Sequence, residues 1–146
     1  MLRKLRRLSK LTPLELLVFC QLFVFALSVR VTVRFLSLPH LIKFFSVSAR
    51  NPLLRHFPLG HLCRDCRQLT VVSDLAARAV RPEGPCLLRS LLLFWLLKAR
   101  GEQAELLIGV SKETGLLESH AWIECYGKIV GENDSGPLRF ATLLRF

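Results

Sequence analysis

Apolar positions change their rhythm along this chain. From Leu16 to Val29 no charge appears, and then Arg30 and Arg34 recur four apart among Val31, Val33, Phe35 and Leu36. This spacing predicts two amphipathic or buried helices over residues 13–46, broken at Pro39. Thr12, Pro13 and Glu15 mark the start, with a hydroxyl N-cap, a proline in the first turn and an acid at the positive end of the dipole. Residues 50–67 carry Asn51-Pro52 and Pro58-Leu-Gly60 and read as a loop or junction. Helical spacing returns over 67–80 and is stopped by Arg81-Pro-Glu-Gly-Pro85. Between Cys86 and Leu97 only Arg89 and Ser90 interrupt the apolar residues, which predicts a helix buried nearly all round, closed by Lys98-Ala-Arg100-Gly101. Beyond Gly101 the period shortens to two. Residues 104–111, 119–126 and 128–130 read as strands, the last two joined in a hairpin at Tyr126-Gly127, and 138–146 supplies one more. Helices first and an antiparallel sheet afterwards, packed on a buried helix, define an α+β fold.

With 146 residues the chain holds one compact domain and a short extension, divided here into a helical N-terminal extension over 1–66 and a domain over 67–146. Half of it is apolar (51%), which excludes an intrinsically disordered tail protein. The formal charge of +10 is uneven: residues 1–60 hold ten Lys or Arg against the single acid Glu15, while residues 61–146 hold eleven against ten acids. Such asymmetry points to nucleic acid, a membrane surface or an acidic partner. Nucleic acid is the weakest of these, because the cations alternate with Leu, Val and Phe in helices that read as buried, and no stacking motif appears. The uncharged run from Leu16 to Val29 is shorter than the roughly 20 residues of a spanning helix. A basic segment followed by an apolar one has the anatomy of a secretory signal, but no small-residue cleavage site follows. The chain is accordingly expected in the cytoplasm, with membrane association through its N-terminal helices left open.

The five cysteines (20, 63, 66, 86 and 125) have no regular spacing, which argues for free thiols in a reducing compartment. His56, His61, Cys63 and Cys66 form H-x4-H-x-C-x2-C, four residue types that bind zinc. The ligands are compressed and the His pair comes first, unlike a two-knuckle site, so no metal and no cofactor is expected.

Cys86 follows Gly84-Pro85 and opens the buried helix. A thiol there faces unpaired N–H groups and the positive dipole end, which favour the thiolate and can hold an oxyanion. His120 stands at the start of a strand, in Ser119-His120-Ala121-Trp122. If Tyr126-Gly127 is a two-residue turn, cross-strand partners sum to 253 and His120 faces Asn133; a shift of one residue brings Glu132 or Asp134 opposite instead. Any of the three can orient an imidazole.

The segments Pro82-Glu-Gly84-Pro-Cys86-Leu-Leu-Arg89-Ser-Leu91, Leu106-Leu-Ile-Gly109-Val110 and His120-Ala-Trp-Ile-Glu124, in this order, strongly resemble the lasso-peptide leader peptidase family. That family is the transglutaminase-like domain also known as the C-terminal domain of the microcin-processing protein McjB. The resemblance covers roughly residues 69–146 in motif detail. It implies a papain- or transglutaminase-like fold and a Cys-His-acid triad of Cys86, His120 and an acid. The family usually has Asp where Glu132 stands here, and Asp134 remains a contender. The implied reaction is cleavage of a ribosomally made precursor between leader and core, freeing an amine for macrolactam formation. A transglutaminase-type acyltransferase and a non-catalytic scaffold of the maturation complex are the alternatives. The implied partners are the precursor peptide, a separate leader-binding recognition protein and an ATP-dependent lasso cyclase. The basic N-terminal helices would dock the recognition protein, the cyclase or the inner membrane.

Overall fold

The computed structural model describes residues 12–51, 59, 63, 65–113, 115–132 and 135–146. Helix α1 spans Pro13–Thr32 and starts on the expected cap: the Glu15 amide donates to Thr12 Oγ1 at 3.3 Å, and the Thr12 amide donates to the Glu15 carboxylate at 2.7 Å. Helix α2 covers Leu38–Arg50. Two helices form here as the pattern predicts, but the interruption falls at residues 33–37. Pro39 lies in the first turn of α2, where its missing N–H has no intrahelical partner to lose.

Helix α3 (Cys66–Val80) begins at Asp65, whose carboxylate accepts the Arg67 amide at 3.0 Å. Helix α4 (Cys86–Ala99) is buried at Leu88 and continuously from Ser90 to Leu97, so its unbroken apolar run is matched by burial on every side. Gly101, at φ +82°, closes it: the Gly101 amide donates to Lys98 O and the Glu102 amide to Leu97 O.

Four antiparallel strands follow: β1 Ala104–Ser111, β2 Glu118–Cys125, β3 Lys128–Val130 and β4 Ala141–Arg145, with a single helical turn α5 (Ser135–Leu138) before the last. Their order across the sheet is β3-β2-β1-β4. Tyr126 (φ 51°) and Gly127 (φ 73°) form the two-residue turn, and Cys125 pairs with Lys128, Glu124 with Ile129 and Ile123 with Val130. That is the predicted register.

One face of the sheet carries Ala104, Leu106 and Ile123 into the principal core, where they meet α4. The same core takes Val18, Leu22, Ala26 and Val29 from α1, Ile42 and Phe45 from α2, and Leu69, Val72 and Ala76 from α3. An aromatic cluster joins the N-terminal helices to α4: Phe25 stacks on Trp95 with centroids 3.9 Å apart, and Phe45 tilts against both. The opposite face of the sheet bears a smaller cluster of Leu107, Trp122 and Phe140.

Candidate active site

Cys86 is the first helical residue of α4. Its N-cap is Pro85, and no side chain caps the helix, so the first-turn amides have no side-chain acceptor. Ahead of it, Gly84 adopts φ +58°, and the Arg81 side chain donates to Glu83 O at 3.1 Å, closing the loop that presents the thiol. Arg30 of α1 donates to Val80 O at 2.6 Å, placing a cation at the C-terminal end of α3 just before that loop.

His120 is the third residue of β2. Its ring lies with Trp122 (centroids 6.2 Å apart) and Phe140 (5.1 Å). The facing position on β1 is Gly109, and a Cβ there would come within 2.8 Å of Ala141 O, 2.9 Å of the Trp122 ring and 3.0 Å of Phe140 Cβ. The missing side chain at Gly109 therefore leaves room for the Trp122 ring, for Phe140 and for the β4 backbone beside His120.

The ladder between β2 and β3 ends at Val130, and Gly131 turns away at φ +85°, where a Cβ would come within 2.8 Å of the Thr70 side chain. This turn carries Glu132 back to the imidazole: His120 Nε2 and Glu132 Oε2 are 2.7 Å apart. Of the three acids and amides weighed for this place, Glu132 meets the histidine; Asn133 and Asp134 lie outside the described residues. The other carboxylate oxygen, Oε1, is in ion contact with the Arg89 guanidinium. Arg89 is one helical turn from Cys86, so a chain of contacts runs from the cysteine's helix through Arg89 and Glu132 to His120. Ser90, also in that turn, donates to Ala121 O at 2.9 Å and fixes the helix to the strand beside the histidine.

Arg89 was not among the residues the sequence singled out for chemistry. The available signal was one cation inside the otherwise apolar run from Cys86 to Leu97, a placement that demands a partner. The Cys86 thiol itself makes no hydrogen bond to His120 among the described residues. The links shown between the Cys86 helix and the strand of His120 are Ser90 to Ala121 and Arg89 to Glu132, and catalytic hydrogen bonds often tighten only when substrate binds.

Electrostatics favour an uncharged imidazole. Burial holds His120 below its ordinary 6.5, and the positive charges of Arg89 and Arg139 add to the effect. Burial also pulls the Arg89 guanidinium below its ordinary value, with Asp74 and Cys86 pulling it back. With Nε2 directed at Glu132, the free ring nitrogen is Nδ1. An open cavity of about 740 Å³ lies beside the pair, bordered by Cys66, Arg67, Thr70, Arg89, His120 and Glu132.

Elsewhere, Glu124 of the His120-Ala-Trp-Ile-Glu124 segment is joined to Arg145 at 3.3 Å on the outer face of the sheet. Of the four residues of zinc-binding type, His56 and His61 lie outside the described residues. Cys63 is buried, and that burial raises its thiol pKa, with Glu15 adding to the rise and Arg100 opposing it. No group of three metal-binding side chains occurs among the described residues, and all five cysteines are free.

A cysteine at the open N-terminus of a buried helix, packed on an antiparallel sheet that carries a histidine–carboxylate pair, is the arrangement of cysteine-dependent acyl-transfer proteins. The sequence profile of the Transglutaminase-like superfamily matches residues 26–145, and the chain belongs to that superfamily, whose members are generally cysteine hydrolases or transferases. The match takes in α2, α3, the Cys86 helix and all four strands, and begins within α1. No curated protein and no solved structure matches the chain.

Proposed function

We propose that the protein is a cysteine peptidase that removes the leader from a ribosomally made lasso-peptide precursor. The observation that carries the reading is the 2.7 Å contact of His120 Nε2 with Glu132, on the strand packed against the helix that Cys86 opens. The ordered Pro82–Leu91, Leu106–Val110 and His120–Glu124 segments, which resemble the leader peptidase family, supply the substrate class. Cys86 is the nucleophile, His120 the base and later the acid, and Glu132 the group that orients the ring; substrate binding brings Nδ1 to the thiol.

In the first step Nδ1 takes the thiol proton, and the sulfur attacks the carbonyl carbon of the last leader residue. The resulting oxyanion is held by first-turn amides of α4. The C–N bond then breaks, and the imidazolium gives its proton to the leaving amine of the core peptide. Water, deprotonated by the same imidazole, cleaves the thioester and releases the leader as its carboxylic acid. The freed core amine is the nucleophile that a separate ATP-dependent cyclase joins to an Asp or Glu side chain. A separate leader-binding recognition protein presents the precursor, and the work is done on the cytoplasmic side.

Mass spectrometry of the precursor after incubation with this protein and the recognition protein tests the reading. A single cut at the leader–core junction, lost in Cys86→Ala and in His120→Ala, is expected. A precursor that stays intact with the wild-type protein refutes the peptidase. Incorporation of an added primary amine at the leader's new C-terminus instead of water assigns an acyltransferase.

A further inference from the structure

A surface helix ordinarily turns an apolar stripe to the core and a polar one to solvent. Helix α1 has two apolar stripes. Val18, Leu22, Ala26 and Val29 are buried against α3 and α4. On the far side Leu17, Val24, Leu27 and Val31 recur at helical spacing and are 43–63% exposed. In the α1–α2 turn Phe35 is 82% exposed, and on α2 Phe44 and Val47 are 61% and 58% exposed. Large apolar side chains exposed in this number on neighbouring elements mark a protein or membrane contact.

The charges around it select between the two. Residues 1–60 carry ten cations and one anion, and that anion, Glu15, is bound to the Thr12 cap. Arg34 flanks Phe35, Lys43 flanks Phe44, and Arg3, Lys4, Arg6, Arg7 and Lys10 precede α1 in the sequence. A segment whose charges are almost all of one sign and alternate with exposed apolar residues is the complement of an anionic lipid surface, where each cation adds up to about 1 kcal/mol. The helix is long and apolar enough to span a bilayer, with a mean hydropathy of 2.0 over its best 18-residue window. Its inner stripe is nevertheless packed in the core, and Phe25 is stacked on Trp95 of α4.

From these observations we infer that the outer face of α1, the Phe35 turn and α2 form a peripheral docking surface for an anionic lipid bilayer. The helix lies along the interface while its inner stripe stays in the protein core. This holds whether or not the site acts as a leader peptidase, since no catalytic side chain takes part.

The experiment is co-sedimentation of the full chain with vesicles of phosphatidylglycerol and phosphatidylcholine in equal parts, beside vesicles of phosphatidylcholine alone. Binding to the anionic vesicles, weakened by salt, is expected. The double variant Val31→Asp/Phe35→Asp lowers the bound fraction about tenfold, while its circular dichroism stays that of the wild type. The variant Leu116→Asp, on an exposed leucine between β1 and β2, leaves binding unchanged. Three results each overturn the inference: no sedimentation with anionic vesicles; membrane association that survives alkaline carbonate, which means a spanning helix; or a lipid-free dimer that the double variant dissociates, which makes the face an interface between two copies of the chain.

Discussion

Helices α1 and α4 are both apolar on nearly every side, yet they end in opposite surroundings. Helix α4 is enclosed from Ser90 to Leu97 by the sheet, α2, α3 and α1, whereas α1 is enclosed along one stripe and leaves Leu17, Val24, Leu27 and Val31 uncovered. The polar exceptions differ too. In α4 the one charge within the enclosed part of the helix, Arg89, is largely shielded and is neutralised by Glu132, and Ser90 is bonded to Ala121 O. In α1 the terminal cation Arg30 reaches out to Val80 O, and no acid faces the exposed stripe from within the helix beyond Glu15. Two stretches of similar apolar content therefore do different work. One is a core element that opens with Cys86 and carries a shielded ion pair. The other is half core and half open surface.

The sharpest way to break the contrast is at the chemical end. Cys86→Ala or His120→Ala is expected to lower leader cleavage by about 10³-fold or more with little change in thermal stability, measured by mass spectrometry and by melting. Removing the acid acts on both properties. Glu132→Ala leaves Arg89 shielded without its counter-charge and costs about 3 kcal/mol in urea denaturation, whereas the double variant Glu132→Leu/Arg89→Met recovers most of that stability but not activity. Equal stability of Glu132→Ala and wild type would show that the carboxylate is not holding the guanidinium.

The inner stripe of α1 is expected to behave as core. Leu22→Ala costs about 3 kcal/mol, as for a fully enclosed leucine, while Val24→Ser two residues on changes stability by less than about 0.5 kcal/mol. Similar effects at the two positions would mean that α1 does not pack as described. On the sheet, Gly109→Ala is expected to cost about 2 kcal/mol, because the new Cβ meets the Ala141 carbonyl oxygen, a backbone atom that cannot swing aside.

The smallest expected effect is in pH. His120 lies below 6.5 in the fold, so the stability linked to its neutral form is present above that pH and lost as pH falls through the lowered value. The acid limb of kcat/KM for a base on His120 falls below 6.5 for the same reason. Arg89→Met removes one of the charges that lower it and moves the limb upward. A limb that stays in place would show that the Arg89 charge does not help to lower it.

Much of this was readable in the chain. The Thr12 cap, the Gly101 stop, the Tyr126-Gly127 turn and the three strands before and after it are local signals, each decided by a few neighbouring residues, and they appear where the pattern places them. The register of β2 on β3 followed from the turn alone, because a two-residue loop leaves one pairing. The break between α1 and α2 was misplaced by a few residues because proline is as compatible with the first turn of a helix as with a stop.

The sequence by itself determined the elements, the α+β order and the residue types available for acyl transfer, since these depend on short-range periodicity and turn chemistry. Only the tertiary structure decided that Glu132 meets His120. The register points to Asn133, but the ladder ends at Val130, and the Gly131 turn against Thr70 swings the chain by one residue. It also decided that Arg89 holds the far side of that carboxylate, and that one apolar helix is enclosed while another stays half open. Each of these depends on which residues distant in sequence come to lie side by side, and hydrophobic patterning records only that a side chain is apolar, not what covers it.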